Sequence, residues 1–199
     1  MKQRILGRTG RAVSLVGLGP WQLGADWGNV DPNEARDILE AAVNSGVTFL
    51  DTADVYGDGR SEQTIGAYLA ANPGLDIMVA TKIGRRQEQT PENYTLANSG
   101  SGLTVPGGTS RRIDFEQGFK AVDEFRKLVP SGATTAQTAV AWIAAQEGVS
   151  TVIPGARNGE QARSNAASAE MLDHIDPDFE NSVREIYDRY FRETIHSRW

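Results

Sequence analysis

Asp51, Tyr56 and Lys82 are the residues whose types and spacing could do chemistry together. The apolar pair Phe49-Leu50 leads into Asp51, and Tyr56 follows in the loop beyond it. A later apolar run over 77–81 ends at Lys82. In a parallel α/β layout the C-terminal ends of the strands share one face, where active sites gather. A phenol of ordinary pKa, about 10, is a poor acid at neutral pH. A lysine cation beside it, itself held by a carboxylate, would stabilise the phenolate and make the tyrosine a usable general acid. The same residue types at strand ends also serve as a cap, a rim aromatic and a solvated charge. The side-chain chemistry taken alone leaves both readings open.

The surrounding elements must deliver these groups. Residues 13–19, Val-Ser-Leu-Val-Gly-Leu-Gly, read as a buried strand that runs into a loop. Asp31, Pro32 and Glu34 are helix-start signals, and a helix is expected over 34–44, with Gly46 to stop it. A second strand over 47–50, a second helix over 62–71 and a third strand over 77–81 complete a β-helix-β-helix-β pattern. That alternation implies parallel strands. Residues 98–111 are rich in glycine and serine and read as a flexible connector. Beyond it, a helix is expected over 115–128. Thr134 to Gln137 has the form of a capping box opening an alanine-rich helix to Gln146. A fourth strand over 149–154 leads directly into a helix begun by Asn158-Gly159-Glu160-Gln161. The tail from Pro177 is a polar amphipathic helix, and no internal repeat is visible.

Composition narrows the class. The chain has 199 residues, a net charge of −6 and no cysteine. The length favours one domain, disulfides are excluded, and the negative charge argues against nucleic acid as a partner. No apolar run has the length of a signal peptide or a membrane span. A soluble cytoplasmic protein with no metal site and no membrane partner is expected.

Four motifs in order carry a family resemblance. Phe49-Leu50-Asp51-Thr52-Ala53-Asp54-Val55-Tyr56-Gly57, with Ser61-Glu62, resembles the signature of the aldo-keto reductases. Gly17-Leu18-Gly19-Pro20-Trp21 is similar to the family's first-strand loop, and Thr81-Lys82 to its lysine strand. Thr151-Val152-Ile153-Pro154-Gly155-Ala156-Arg157, with Gln161 and Asn165, is similar to the last strand and helix that grip the cofactor phosphates. The resemblance implies an α/β fold of the (β/α)8 TIM-barrel family that binds NADP(H) without a Rossmann motif. It implies catalytic roles for Asp51, Tyr56 and Lys82, with Tyr56 as proton donor to an aldehyde or ketone. Gly19 and Trp21 would lie near the nicotinamide and the substrate mouth. Gly155, Ala156, Arg157, Gln161 and Asn165 would hold the phosphates. The helix start there suits an anion, and the Arg157 cation suits a 2′-phosphate; the residues alone, without the family match, read as a plain capped helix with a surface arginine. Ser164 stands where many relatives carry an acid that contacts the adenine.

The resemblance covers residues 1 to about 98 and 111–199 of the chain. Helix three and strands four to seven of the family have no counterpart between them. A full barrel needs about 250 residues. An incomplete, half barrel is therefore expected, a single domain with strands equivalent to the family's first, second, third and eighth. The absent part carries the fourth catalytic residue, a histidine, and the clamp on the nicotinamide ring. This chain's two histidines, His174 and His196, end no expected strand. A non-catalytic NADP(H)-binding protein, or an isomerase or cyclase using the three residues without hydride, therefore stands beside the reductase. Open barrel edges would also invite a homo-oligomer.

Overall fold

The computed structural model describes residues 1–24, 31–82 and 114–196. The chain opens with an antiparallel hairpin of β1 (Gln3–Ile5) and β2 (Ala12–Ser14), paired Gln3 to Ser14 and Ile5 to Ala12. The hairpin is absent from the pattern read above, where residues 13–19 formed one strand. The segment is in fact divided: its start pairs back on β1, and only its end enters the central layer. Arg4 pins the hairpin to the fold by donating to the carbonyls of Ala144 and Val149, both at 2.6 Å.

The central layer is parallel. Val16 bridges Val152, and Leu18 bridges Leu50. β3 (Phe49–Asp51) then pairs in parallel with β4 (Met78–Ala80), Leu50 opposite Val79. The lateral order is thus the Val152 segment, the Val16–Leu18 segment, β3 and β4. The expected strand over 149–154 contributes that single bridge. Its backbone bonds run from Val152 to Leu15 at 3.0 Å and from Gly17 and Gly19 back to Val152 and Pro154. Pro154, lacking an N–H, can only accept. At the other end of the layer, Ser14 and Thr48 exchange two side-chain to backbone bonds of 2.8 and 2.9 Å. Hydroxyls there replace ladder bonds.

Local signals set the helices that cover this layer. In α1 (Pro32–Asn44) Asp31 accepts from the Asn33 N–H at 2.8 Å and Pro32 takes the first turn. Its apolar face, Ala35, Ile38, Leu39 and Ala42, is buried. α2 (Arg60–Ala71) starts two residues before the expected Glu62, after Gly59 in a left-handed conformation. α3 (Phe115–Arg126) follows, and α4 (Thr135–Ala145) opens on a complete capping box between Thr134 and Gln137. α5 (Gly159–Ala167) runs into a 3-10 helix over Ser168–His174. α6 (Pro177–Tyr190) and the short α7 (Arg192–Ile195) close the described chain.

The main core lies where α1 and α5 meet the strands: Leu18, Ile38, Leu39, Leu50, Ile65, Ala156, Ala162 and Ala166. A smaller cluster, Leu15, Val16, Ala144 and Ala169, seats α4 and the 3-10 helix on the other side of the first strand segment. α6 is tied to α4 through Glu180, which accepts from Trp142 Nε1 at 2.5 Å and Gln146 Nε2 at 3.1 Å. The expected connector over 98–111 lies outside the described residues. Among the described residues, no helix is long and apolar enough to cross a membrane, and no three acidic or histidine side chains group as metal ligands.

Candidate active site

The parallel register carries Asp51 and Lys82 to the same end of the layer. Past the last ladder pair, Asp51 opposite Ala80, the two chains stay bonded: Thr52 N–H donates to Ala80 and Asp54 N–H to Lys82. Lys82 therefore emerges directly beside the loop that holds Tyr56. Its ammonium donates to Asp51 Oδ2 at 2.7 Å and to the Thr52 carbonyl at 2.9 Å. It also stands 5.3 Å from the centre of the Tyr56 ring. The three residues singled out from the sequence do come together.

The electrostatics keep the lysine charged. Partial burial works to lower its pKa, but the hydrogen bond and charge of Asp51, with a smaller contribution from Tyr56, outweigh it. The net effect is a pKa above the ordinary 10.5. Lys82 is a cation at neutral pH, directed at a phenol. Trp21 forms the next wall, its ring centroid 6.1 Å from that of Tyr56.

The loop carrying Tyr56 is fixed from beneath by groups to which sequence reading gave no structural role. Ser61 is fully buried at the start of α2. It accepts from Thr52 Oγ1 at 2.8 Å and donates to the Pro20 carbonyl at 3.0 Å. One hydroxyl thus joins the end of β3, the start of α2 and the 3-10 turn Pro20–Gly24. Glu62 adds a second tie, accepting from Thr81 Oγ1 at 2.6 Å. Gly57, at φ +62°, lies against Gly24 so closely that a Cβ would meet the Gly24 carbonyl oxygen at 1.9 Å. The turn bearing Trp21 and the loop bearing Tyr56 are packed backbone to backbone. The Ser61-Glu62 motif was visible in the sequence, but its tethering role needed the partners.

Of the residues expected to hold phosphate, Gly155, Ala156 and Arg157 sit on the loop after Val152, and Gln161 and Asn165 sit on α5. Gly19 N–H donates to Pro154 at 3.1 Å, which sets the first-strand loop beside that one. Gln161 Oε1 accepts from the Arg157 N–H at 2.8 Å, and Asn165 Nδ2 donates to the Gly155 carbonyl at 2.9 Å. Both side chains hold the shape of the loop. Asn158 caps α5 by accepting from Gln161 N–H at 2.9 Å, and the Gly159 and Glu160 N–H groups, in the first turn, have no intrahelical partner. Ala156 is buried, whereas the Arg157 side chain is exposed and pairs with no acid among the described residues. An anion would meet a helix start and a guanidinium there.

His174 ends the 3-10 helix and is exposed. His196 is exposed beyond α7, 3.1 Å from the Tyr187 hydroxyl. Neither belongs to the Asp51–Tyr56–Lys82 group.

With this geometry in hand, comparison with known proteins identifies the class. The family model described as the aldo/keto reductase family matches residues 15–101 and 93–188, and the chain belongs to that family. Among curated proteins it is similar to D-threo-aldose 1-dehydrogenase of a Pseudomonas species, 35% identical over 114 residues. That match takes in 56% of this chain and 35% of the relative. It is also similar to L-galactose dehydrogenase of Arabidopsis thaliana, 41% identical over 87 residues, 43% of this chain and 27% of that protein. The matched stretch thus spans about a third of the curated relatives' length. In fold, the chain resembles the holo form of an aldo-keto reductase from Bacillus halodurans. The TM-score is 0.67 at 19% identity, covering 94% of this chain and 96% of that one. A glycerol dehydrogenase from Gluconobacter oxydans gives a TM-score of 0.68 at 18% identity, covering 95% and 96%.

Proposed function

We propose that this chain is an NADP(H)-dependent oxidoreductase that reduces an aldehyde or ketone to an alcohol, with Tyr56 as proton donor. The observation that carries the reading is the Lys82 ammonium, bonded to Asp51 at 2.7 Å and standing over the Tyr56 ring. A carbonyl oxygen gains negative charge as a hydride arrives at its carbon, and a phenol beside a fixed cation is suited to supply the proton. Bound NADPH would supply the hydride. Trp21, exposed and beside Tyr56, would form one wall for the substrate. The names of the similar dehydrogenases and the holo-form structural neighbour support this class of chemistry.

Arg157, Asn158 and the start of α5 fit the cofactor's phosphates, and the exposed Arg157 guanidinium favours NADP(H) over NAD(H). Gly155, Ala156, Gln161 and Asn165 shape that loop. The parallel order of the four strand segments supports reading them as the family's eighth, first, second and third strands, a contiguous half of the barrel. One observation favours a second reading, binding without turnover: neither histidine of the chain stands at the site to orient a carbonyl.

Fluorescence titration tests the cofactor assignment. NADPH is expected to bind more tightly than NADH. The margin should shrink in Arg157→Ala by about tenfold, the scale of a lost charge-assisted contact, and shrink further at high salt. Equal affinity for the two cofactors in the parent chain would overturn the assignment. NADPH consumption on adding a nitrobenzaldehyde then separates the reductase from the binding protein.

A further inference from the structure

Thr81 and Lys82 lie beyond the last ladder pair of the layer, Asp51 opposite Ala80, on a strand whose outer edge has no partner among the described residues. A lysine at such an end is hard to aim. Its stem is long and flexible, and the Lys82 side chain is 53% exposed where that of Asp51 is 19% exposed. Little packing steadies the stem, so the place of the ammonium depends on where the chain holds its root. From the β3 side, the Asp54 N–H reaches the Lys82 carbonyl at a long 3.2 Å. From the α2 side, Thr81 Oγ1 donates to Glu62 Oε1 at 2.6 Å, the length of a hydroxyl bonded to a carboxylate. The two pulls are opposed. α2 packs through Ile65 on the face that bears Leu50, and Asp51, the next residue of β3, points to the other face. Lys82 reaches toward Asp51 and Thr81 toward α2.

We propose that Glu62 is a positioning residue for the reaction: by holding Thr81 it fixes the root of Lys82 and keeps the ammonium over the Tyr56 ring. This rests on the functional reading above. The neighbour of Glu62, Ser61, joins Thr52 to Pro20 beneath the Tyr56 loop. One helix start therefore sets both partners of the acid, the phenol through the end of β3 and the cation through the end of β4. The separation of Lys82 from the Tyr56 ring, 5.3 Å, is then a property of α2 as much as of the two strands. An acid in the first turn of a helix also suits the helix dipole. That ordinary role does not need Thr81, so the threonine separates the two.

Thr81→Val removes the hydroxyl at nearly unchanged volume and leaves Glu62 at its helix start, Thr81→Ser restores the hydroxyl, and Glu62→Ala removes the acceptor. The chain has four lysines, so Lys82 can be read against Lys2, Lys120 and Lys127 in the same molecule. Trace acetylation with acetic anhydride at about pH 9, where a small fraction of each amine is neutral, followed by peptide mass analysis gives the four rates. Lys82, held as a cation by Asp51, should be the slowest in the parent chain. In Thr81→Val and Glu62→Ala its rate should rise about fivefold, the scale of one hydrogen bond, with the other three unchanged. Thr81→Ser should match the parent. With a nitrobenzaldehyde and saturating NADPH, Thr81→Val and Glu62→Ala should lose about tenfold in kcat, and NADPH affinity should hold. A Lys82 rate that neither substitution moves, a rise shared by all four lysines, or Thr81→Ser behaving as Thr81→Val would overturn the Glu62 assignment alone. So would an unchanged kcat. A parent chain that turns over no carbonyl would overturn the reductase reading, whereas the labelling would still show whether Glu62 holds the cation.

Discussion

At the scale of single residues, the site depends on side chains that perform no chemistry themselves. Asp51 holds Lys82 by one 2.7 Å bond, and Ser61 holds the Tyr56 loop by joining Thr52 to Pro20. The backbone contact between Gly24 and Gly57 is as demanding. A methyl group at position 57 cannot be accommodated unless the Trp21 turn and the Tyr56 loop separate. Gly57→Ala is therefore expected to cost about 1–3 kcal/mol in stability. Turnover should fall by about a hundredfold through misplacement of Tyr56. NADPH affinity should fall far less than turnover, because the phosphate loop lies elsewhere. Chemical denaturation and a separate binding titration check the two halves, and unimpaired turnover would show that the close packing does not position Tyr56. Asp51 and Lys82 were legible in the sequence because each ends an apolar run that points to one end of a sheet, and Tyr56 because it lies in the loop that follows the first of these. Ser61 was not assigned its tethering role, because its importance lies in partners distant along the chain, and a single polar residue carries no sign of its partner.

At the scale of elements, short-range signals were legible and long-range pairing was not. The caps at Asp31, Thr134 and Asn158 are bonds within three residues of one another, so local sequence suffices. The β1–β2 hairpin was missed because its three-residue strands are too short to display alternation. The segment over 149–154 reads as a strand from its apolar character, yet it gains only one bridge. The joint between α4 and α6 yields a pH prediction. Burial of Glu180 works to raise its pKa, but hydrogen bonds from Trp142, Arg184 and Gln146 outweigh it and hold the carboxyl below its usual 4.5. A carboxylate depressed in the folded state contributes stability above its unfolded pKa and loses it as pH falls through the folded one. The stabilising effect is thus full at neutral pH and fades below about pH 4.5. Melting temperatures followed down through that range should fall more steeply for the parent chain than for Glu180→Gln. Parallel curves would mean that the α4–α6 joint does not depend on this charge.

At the scale of the whole molecule, the parallel layer ends on both sides in strands without a partner among the described residues. β4 pairs only with β3, and the Val152 segment only with the segment through Val16. Val79 and Ile153 on these outer strands are 38% and 39% exposed. Unpaired backbone in apolar strands favours association, and a two-fold axis could set β4 of one copy against the Val152 segment of another. We predict a dimer at micromolar concentration by light scattering, and a monodisperse monomer with a sharp unfolding transition would refute it. Such a dimer would hold two Asp51–Tyr56–Lys82 groups and still no histidine beside them, so closing the layer would not by itself supply the reaction. The central claim is that Tyr56 and Lys82 serve hydride transfer from NADPH to a carbonyl. Its most direct measurement is the mass of the alcohol formed when the chain is given a nitrobenzaldehyde and NADPH deuterated at C4 of the nicotinamide. The account predicts deuterium in the alcohol with the parent chain, and formation about 10²–10⁴-fold slower with Tyr56→Phe while NADPH binding persists. An alcohol product absent despite bound NADPH, or labelled equally fast in Tyr56→Phe, would contradict it.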